Sequence, residues 1–262
     1  MDDKRLLTEI VRYENGVIEY LTDAVVRETV VTVLVNGTKI ASIACLDDKL
    51  MELGVGFTFT EGIVSDLSAI TAIRHNKEKK LIEITAETSK SDLIDYLATT
   101  EKISGCGGGI SGIIKNSARK AFRKNSLSLN SIPLIMSSFQ KSSVLFRETG
   151  GVHSAGLLLS ESLEYYAEDI GRHNAVDKVI GEALIKQKSL SDYSLLTSGR
   201  ISSEIVRKAI RLNIPMILSQ SAPTSTAISL AWHYGVYLIG FARGKRFNLY
   251  TGLADFLSNN EL

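Results

Sequence analysis

From residue 135 onward, strand-like apolar runs alternate with helical segments, a pattern that a layered sheet with parallel pairings accommodates. Parallel strands cannot be joined by a tight hairpin, so each helical segment reads as a crossover between neighbours in one sheet. The expected strands lie at 155–160, 163–167, 193–197, 215–219 and 237–241. The expected helices lie at 137–149, 174–187, 202–212 and 224–234, the first ending at Gly150-Gly151. This half of the chain is expected to be α/β.

The first hundred residues read differently, as an α+β lobe rich in strands. Residues 16–46 are β-branched and alternating. Asn36-Gly37, set between two such runs, is a strong hairpin signal. Cys45 falls at a strand end and is expected to be a buried core thiol. A helix is expected over 47–61, capped by Asp47 or Asp48, with Leu50, Met51, Leu53 and Val55 on its apolar face. The glycines of Gly54-Val-Gly-Phe-Thr-Phe-Thr-Glu-Gly62 imply a bend and close packing. Two more strands, 69–75 and 80–85, flank a polar turn that places His75 at the surface. A short helix is expected over 91–98.

Between the halves the composition changes. Ser104-Gly-Cys106-Gly-Gly-Gly-Ile-Ser-Gly112 holds five glycines in nine residues, too many for regular helix or strand. Such a loop can present a thiol to a second molecule, with backbone N–H groups available to stabilise the thiolate. It is followed by a basic stretch carrying Lys115, Arg119, Lys120, Arg123 and Lys124. The expected organisation is a β-rich lobe over 1–100, a flexible cysteine-bearing loop and basic connector over 101–130, and the layered lobe over 131–262.

Composition narrows the function classes. A net charge of +1 argues against a nucleic-acid partner. No apolar run approaches the roughly 18 residues that a membrane span needs, and the N-terminus shows no apolar signal core. Two cysteines make no disulfide framework, so a reducing cytoplasm is expected.

In the layered half, polar residues collect where strands end: Gly150-Gly-Val-His153, Glu168-Asp-Ile-Gly-Arg-His-Asn174, Ser198-Gly-Arg200, Ser219-Gln-Ser-Ala-Pro-Thr224 and Phe241-Ala-Arg-Gly-Lys-Arg246. Open α/β sheets bind ligands at the carboxyl ends of their strands, and helix N-termini there receive phosphate. A deaminase-type zinc site needs H-x-E and P-C-x-x-C, and neither occurs, so no metal is expected. A serine-hydrolase elbow is only weakly suggested by Gly109-Ile-Ser-Gly112, and a P-loop is absent. Cysteine–histidine chemistry remains open, with Cys106 as nucleophile and His153 or His173 as base.

Several of these stretches together resemble the formate dehydrogenase accessory proteins of the FdhD type. They are Gly56-Phe-Thr-Phe-Thr-Glu-Gly62, Ser104-Gly-Cys-Gly107, Thr149-Gly-Gly-Val-His-Ser-Ala155 and Glu168-Asp-Ile-Gly-Arg-His-Asn-Ala-Val-Asp-Lys178. Ser198-Gly-Arg-Ile-Ser-Ser-Glu204, Ser221-Ala-Pro-Thr-Ser225 and Gly240-Phe-Ala-Arg-Gly-Lys-Arg-Phe-Asn-Leu-Tyr250 complete an ordered set spanning about 200 residues. The resemblance implies a C-terminal lobe of cytidine-deaminase-like fold without its zinc. It also implies a sulfurtransferase that accepts persulfide sulfur from a cysteine desulfurase. The sulfur would pass to Mo-bis(molybdopterin guanine dinucleotide) before that cofactor enters formate dehydrogenase.

On this resemblance Cys106 is the persulfide cysteine, and the segment Phe241, Ala242, Arg243, Gly244, Lys245 and Arg246 binds the cofactor. The charged side chains and Gly244 of that segment suit a ligand with two diphosphates. The family usually carries Cys-x-x-Cys in the loop; here the second position is Gly109, and a single persulfide on Cys106 is chemically sufficient. A second reading is a non-catalytic cofactor-binding chaperone in which Cys106 is dispensable. The oligomeric state is open, a homodimer being one option.

Overall fold

Two Asn-Gly pairs shape the N-terminal half. Asn15, Gly16, Asn36 and Gly37 have φ of 51°, 88°, 49° and 76°, the positive values that a tight two-residue hairpin demands. The first turn joins β1 (Arg5–Glu14) to β2 (Val17–Val26), which form a sheet of their own. The second joins β3 (Thr29–Val35) to β4 (Thr38–Cys45). These pair with β5 (Ile70–Asn76) and β6 (Leu81–Ala86) in the order β4-β3-β6-β5, with β3 and β6 parallel. The computed structural model describes residues 4–89, 93–94, 96–98, 120–123 and 127–258. The glycine-rich loop with Cys106 and most of the basic stretch lie outside these residues, as does part of the helix expected at 91–98.

β1 lies upstream of the stretch expected to be strand. Its apolar residues Leu7 and Val11 are exposed, so the usual buried face that marks a strand is missing. The ribbon is held at one end, where Val26 packs on Leu46, Leu145 and Val152, and Arg5 and Lys4 pair with Glu148 and Asp48.

In the C-terminal half, a six-stranded sheet has the order β12-β11-β10-β9-β7-β8. β7 (His153–Leu159) and β8 (Ser162–Asp169) form an antiparallel hairpin. β9 (Tyr193–Thr197), β10 (Met216–Ser219) and β11 (Tyr237–Arg243) are parallel, joined by the helices the spacing requires. Those crossovers are α5 (Ser203–Arg211) and α6 (Ser225–Tyr234). β12 (Arg246–Leu249) returns antiparallel to β11.

The helix expected at 137–149 is two helices, α2 (Ser131–Lys141) and α3 (Val144–Thr149). Pro133 is tolerated in α2 because first-turn N–H groups have no helical acceptor to lose. The break falls at Ser143, whose hydroxyl is drawn away to Ser154 and Glu168. A last helix, α7 (Leu253–Ser258), seats the buried Phe256 and was not marked by any sequence signal.

Side-chain alternation explains why both faces of this sheet are covered. Leu195 and Ile217 enter one core, and Leu196 and Leu218 the other. The first core is continuous with that of the four-stranded sheet, running through α1 (Leu50–Thr60) and α4 (Arg172–Ile185).

α1 is buried on nearly all sides, and its start differs from expectation. Its N-cap is Lys49, in the left-handed region at φ 48°, because Asp47 and Asp48 are engaged by Lys80 and Lys4. Met51 faces outward, 42% exposed, rather than joining the apolar face. His75 is half-buried rather than solvated. With Asp47, Leu50 and Lys80 it lines a cavity of about 510 Å³, and its Nε2 has no hydrogen-bond partner. Cys45 is fully buried, as its strand-end position implies.

Two buried ion pairs of the C-terminal half reach across to the N-terminal half. Lys178 and Asp169 are both fully buried and 2.6 Å apart. Asp169 accepts a hydrogen bond from the Leu46 backbone N–H at 3.1 Å, and Lys178 donates to the Leu46 carbonyl at 3.3 Å. Lys208 lies 2.7 Å from Asp177 and 3.4 Å from Glu61, and Thr60 Oγ1 donates to Asp177 at 2.8 Å. Burial pushes the Asp177 carboxyl up to about 6 against the pull of Lys208.

Removing one partner of such a group leaves the others as uncompensated buried charge. Lys208→Met is expected to cost about 3–5 kcal/mol in urea unfolding. The double variant Lys208→Met/Asp177→Asn is expected to recover a substantial part of that loss. A single variant as stable as wild type would show that Lys208, which also reaches Glu61 and Thr60, does not hold the halves together.

Candidate functional site at the strand carboxyl ends

At the carboxyl ends of β9, β10 and β11 three chain segments are tied to one another by backbone hydrogen bonds. After β9 the chain runs Ser198-Gly199-Arg200-Ile201. Ile201 N–H donates to the Ala222 carbonyl and Thr224 N–H to the Ile201 carbonyl, each at 3.0 Å. Phe241 N–H then donates to the Ser221 carbonyl at 3.1 Å. Side chains complete the floor: Ser219 Oγ donates to the Gly199 carbonyl at 2.6 Å and accepts from Ser221 N–H at 2.9 Å. Loops fixed in this way place functional groups as firmly as regular elements do.

The segment 241–246 is a hairpin tip rather than a loop trailing from a strand. The chain turns at Gly244-Lys245, Gly244 taking φ 58°, and Arg246 begins β12. Phe241 has φ 51° at a break in register between Gly240 and Arg243. For a bulky side chain this is a strained conformation, of the kind that surrounding structure must enforce. Gly240 is closely packed there: an added Cβ would lie 3.0 Å from both the Ser221 carbonyl oxygen and the Tyr250 ring, so those neighbours would have to give way by a few tenths of an ångström.

Beyond the bulge, Arg243 and Arg246 sit directly opposite each other across the strands. Both are exposed, as are Gly244 and Lys245, while Phe241 is half-buried and Ala242 buried. Arg243 is anchored by its Nε, which donates to the Gln220 carbonyl at 2.7 Å. The sequence pattern pointed to this cationic segment; the cross-strand pairing of its arginines needed the turn at Gly244-Lys245 to be recognised.

On the other side of the 219–224 segment lies a group drawn from β7, α4 and the β9–α5 connection. His153 Nδ1 is 3.2 Å from Ser198 Oγ, which also accepts from Ser154 N–H at 2.9 Å. Burial lowers the His153 pKa, and Arg172 and Arg200 lower it further. Burial, Lys208, Arg172 and His153 depress His173 to about 3. His173 is therefore neutral at neutral pH, and its 3.2 Å approach to Glu204 is not an ion pair there.

The two histidines named as candidate bases thus share one neighbourhood. Cys106, their proposed partner, lies outside the described residues. Behind them Ser143, Ser154, Glu168 and Tyr166 form a hydrogen-bonded cluster, with Ser143 and Ser154 hydroxyls 2.9 Å apart and Tyr166 OH 3.1 Å from Ser154.

The helix N-termini also differ from a simple reading of their sequences. α4 begins at Arg172, ahead of the Asn174 expected to open it; its N-cap is Gly171, which has no side chain to bond, and the Asn174 amide donates to the Ala44 carbonyl and to Asp169. Thr224 caps α6, accepting from Ala227 N–H. Among the described residues no cluster of three His, Cys, Asp or Glu is placed to hold a metal ion. No helix of those residues is long and apolar enough to cross a membrane.

Sequence and fold comparisons bear on this arrangement. The model of the FdhD/NarQ family matches residues 26–256. A sulfur carrier protein from Wolinella succinogenes is 36% identical over 87% of this chain and 81% of its own. One from Bacillus pumilus is 36% identical over 92% and 93%, and one from Bacillus subtilis 33% identical over 96% and 97%. In fold, the chain is similar to a crystal structure described as a formate dehydrogenase accessory protein from Desulfotalea psychrophila. The TM-score is 0.78 and the identity 26%, covering 97% of this chain and 99% of that one. With its mixed α/β sheets and these matches along nearly its whole length, the chain belongs to the FdhD/NarQ family.

Proposed function

We propose that this chain is a cytoplasmic sulfur carrier for formate dehydrogenase maturation. Cys106 accepts persulfide sulfur from a cysteine desulfurase and passes it to Mo-bis(molybdopterin guanine dinucleotide). The observation that carries the reading is the pairing of Arg243 with Arg246 on a chain whose relatives are named sulfur carriers. Like charges directly opposite on a hairpin repel each other. Among the described residues neither arginine has a carboxylate partner, so a bound polyphosphate would relieve the repulsion. The layering of the six-stranded sheet supports a cytidine-deaminase-like reading of the lobe over 131–262 without a zinc site. The segment 101–130 then serves as the arm linking it to the lobe over 1–100.

In the first step the Cys106 thiolate attacks the outer sulfur of the donor persulfide. A new S–S bond forms, and the donor cysteine leaves as thiolate. In the second, the acceptor supplies the electron pair for its bond to the outer sulfur, and Cys106 returns as thiolate. Cys45 is unsuited to either step. Burial, with Asp169 adding to it, pushes its thiol up to about 12, leaving about one part in 10⁵ as thiolate at pH 7.

Incubation with a cysteine desulfurase and cysteine should therefore add about 32 Da, one sulfur atom, at Cys106 and nowhere else. Cys106→Ala should remove the adduct with little change in melting temperature, and Cys45→Ala should keep it. An adduct on Cys45, or none on the wild-type chain, would contradict the carrier role; the absence of any adduct would favour a non-catalytic chaperone.

GDP shares the guanosine and diphosphate of the proposed cargo. Each charge-assisted phosphate contact contributes roughly 1.5–3 kcal/mol. Arg243→Ala/Arg246→Ala is accordingly expected to weaken GDP binding by at least about tenfold in calorimetry. Equal affinity in the two proteins, or no binding to wild type, would remove this hairpin from the site.

A further inference from the structure

Residues 11–20 form the distal half of the β1–β2 ribbon and are exposed without exception. A two-stranded ribbon is marginally stable unless a further strand or a packed face supports it. Here the support lies at the base, where Val26 packs on Leu46, Leu145 and Val152 and Arg5 pairs with Glu148. Among the described residues the ribbon has no third strand, so both of its edges are open.

The register sorts its side chains onto two faces. One face holds Leu7 opposite Ala24, Glu9 opposite Thr22, Val11 opposite Tyr20 and Tyr13 opposite Ile18. Leu7, Val11, Tyr13, Ile18 and Tyr20 are between 58% and 85% exposed. Glu9 is the only charge in that span of the face. The other face carries Arg12, Glu14, Glu19 and Asp23, with Arg12 directly opposite Glu19. A contiguous apolar face of this size marks an interaction site rather than ordinary surface.

We propose that this face is a dimerisation arm whose occupant is the same face of a second copy of the chain. Its five apolar side chains offer on the order of 600 Å² of surface. Two such faces would together bury about 1,200 Å², the lower end of specific interfaces, for a dissociation constant on the order of micromolar.

The face is also complementary to itself. With two ribbons packed antiparallel about a two-fold axis level with Val11 and Tyr20, Tyr13 of each copy lies over Glu9 of the other. A tyrosine hydroxyl buried at an interface needs an acceptor, and the carboxylate supplies one. Charge on this face is thereby met by a donor rather than by like charge.

Sedimentation velocity of the full chain, from about 1 to about 100 μM, tests the proposal. The 28.6 kDa chain is expected to pass from monomer to dimer across that range. Tyr13→Glu/Tyr20→Glu is expected to raise the dissociation constant at least about thirtyfold, because central tyrosines dominate interfaces of this kind. Both residues are exposed, so the melting temperature should hold. If the double variant melts early, Tyr20→Glu alone should still weaken association at least about tenfold. Val17→Lys, on the opposite face beside Glu14, is expected to leave association unchanged. A wild-type chain still monomeric at about 100 μM, or a dimer that the tyrosine variants leave intact, would overturn the proposal. Equal loss in Val17→Lys would overturn it as well.

Discussion

The close crossing of α1 and α4 is the contact on which the rest of the molecule depends. An added Cβ on Gly56 would lie 1.8 Å from the Asp177 carbonyl oxygen, and one on Gly181 1.8 Å from that of Glu52. No side chain larger than hydrogen fits at either position unless the helices separate. On its other face α1 meets β6, where Gly54 leaves room for Ile82. One helix is thereby packed against both the four-stranded sheet and α4, which covers the six-stranded sheet. The apolar core continues through it without a break.

Close approach of the backbones also brings charge into the interior. Asp177 and Lys178 follow one another on α4, so they project in different directions. Asp177 meets Lys208 of α5, which also reaches Glu61 beyond the end of α1. Lys178 meets Asp169 at the end of β8, beside the backbone of Leu46. Asp169 also holds Gly171 N–H and the Asn174 amide, which sets where α4 begins. Arg172 and His173 come next in the chain, at the edge where β9, β10 and β11 end. The buried seam and the polar edge are thus two ends of one helix, and an error in the first would displace the second.

Much of this was legible because local patterns and global fold agree. The alternation after residue 135 marked β9, α5, β10, α6 and β11 almost to their ends, since strands covered on both faces read as continuous apolar runs. Asn36-Gly37 marked its hairpin. The same dipeptide at Asn15-Gly16 was passed over because the strand before it lacks a buried face. Other features depended on distant partners. Ser143 interrupts a helical pattern because Ser154 and Glu168 engage its hydroxyl. Lys49 replaces an aspartate as cap because both aspartates are paired elsewhere.

The sequence presents 168–174 as polar residues gathered for a ligand, and the family resemblance extends that stretch to Lys178. In the structure Asp169, Asp177 and Lys178 are buried structural groups, while Arg172 and His173 face the site neighbourhood. A sequence motif does not separate these roles, because helical periodicity sends neighbouring residues to opposite environments. The pairing of Arg243 with Arg246 was hidden for a similar reason, since it depends on the register of β11 and β12.

The account assigns sulfur transfer to a thiol in a glycine-rich segment and cargo binding to a cationic edge fixed by the seam. Its most direct test is formate dehydrogenase activity in a bacterial strain whose own accessory protein has been deleted. Expression of this chain is predicted to restore that activity, and expression of Cys106→Ser at the same level to leave it near the deletion background. Equal restoration by the two proteins, or none by a well-expressed wild-type chain, would contradict the account.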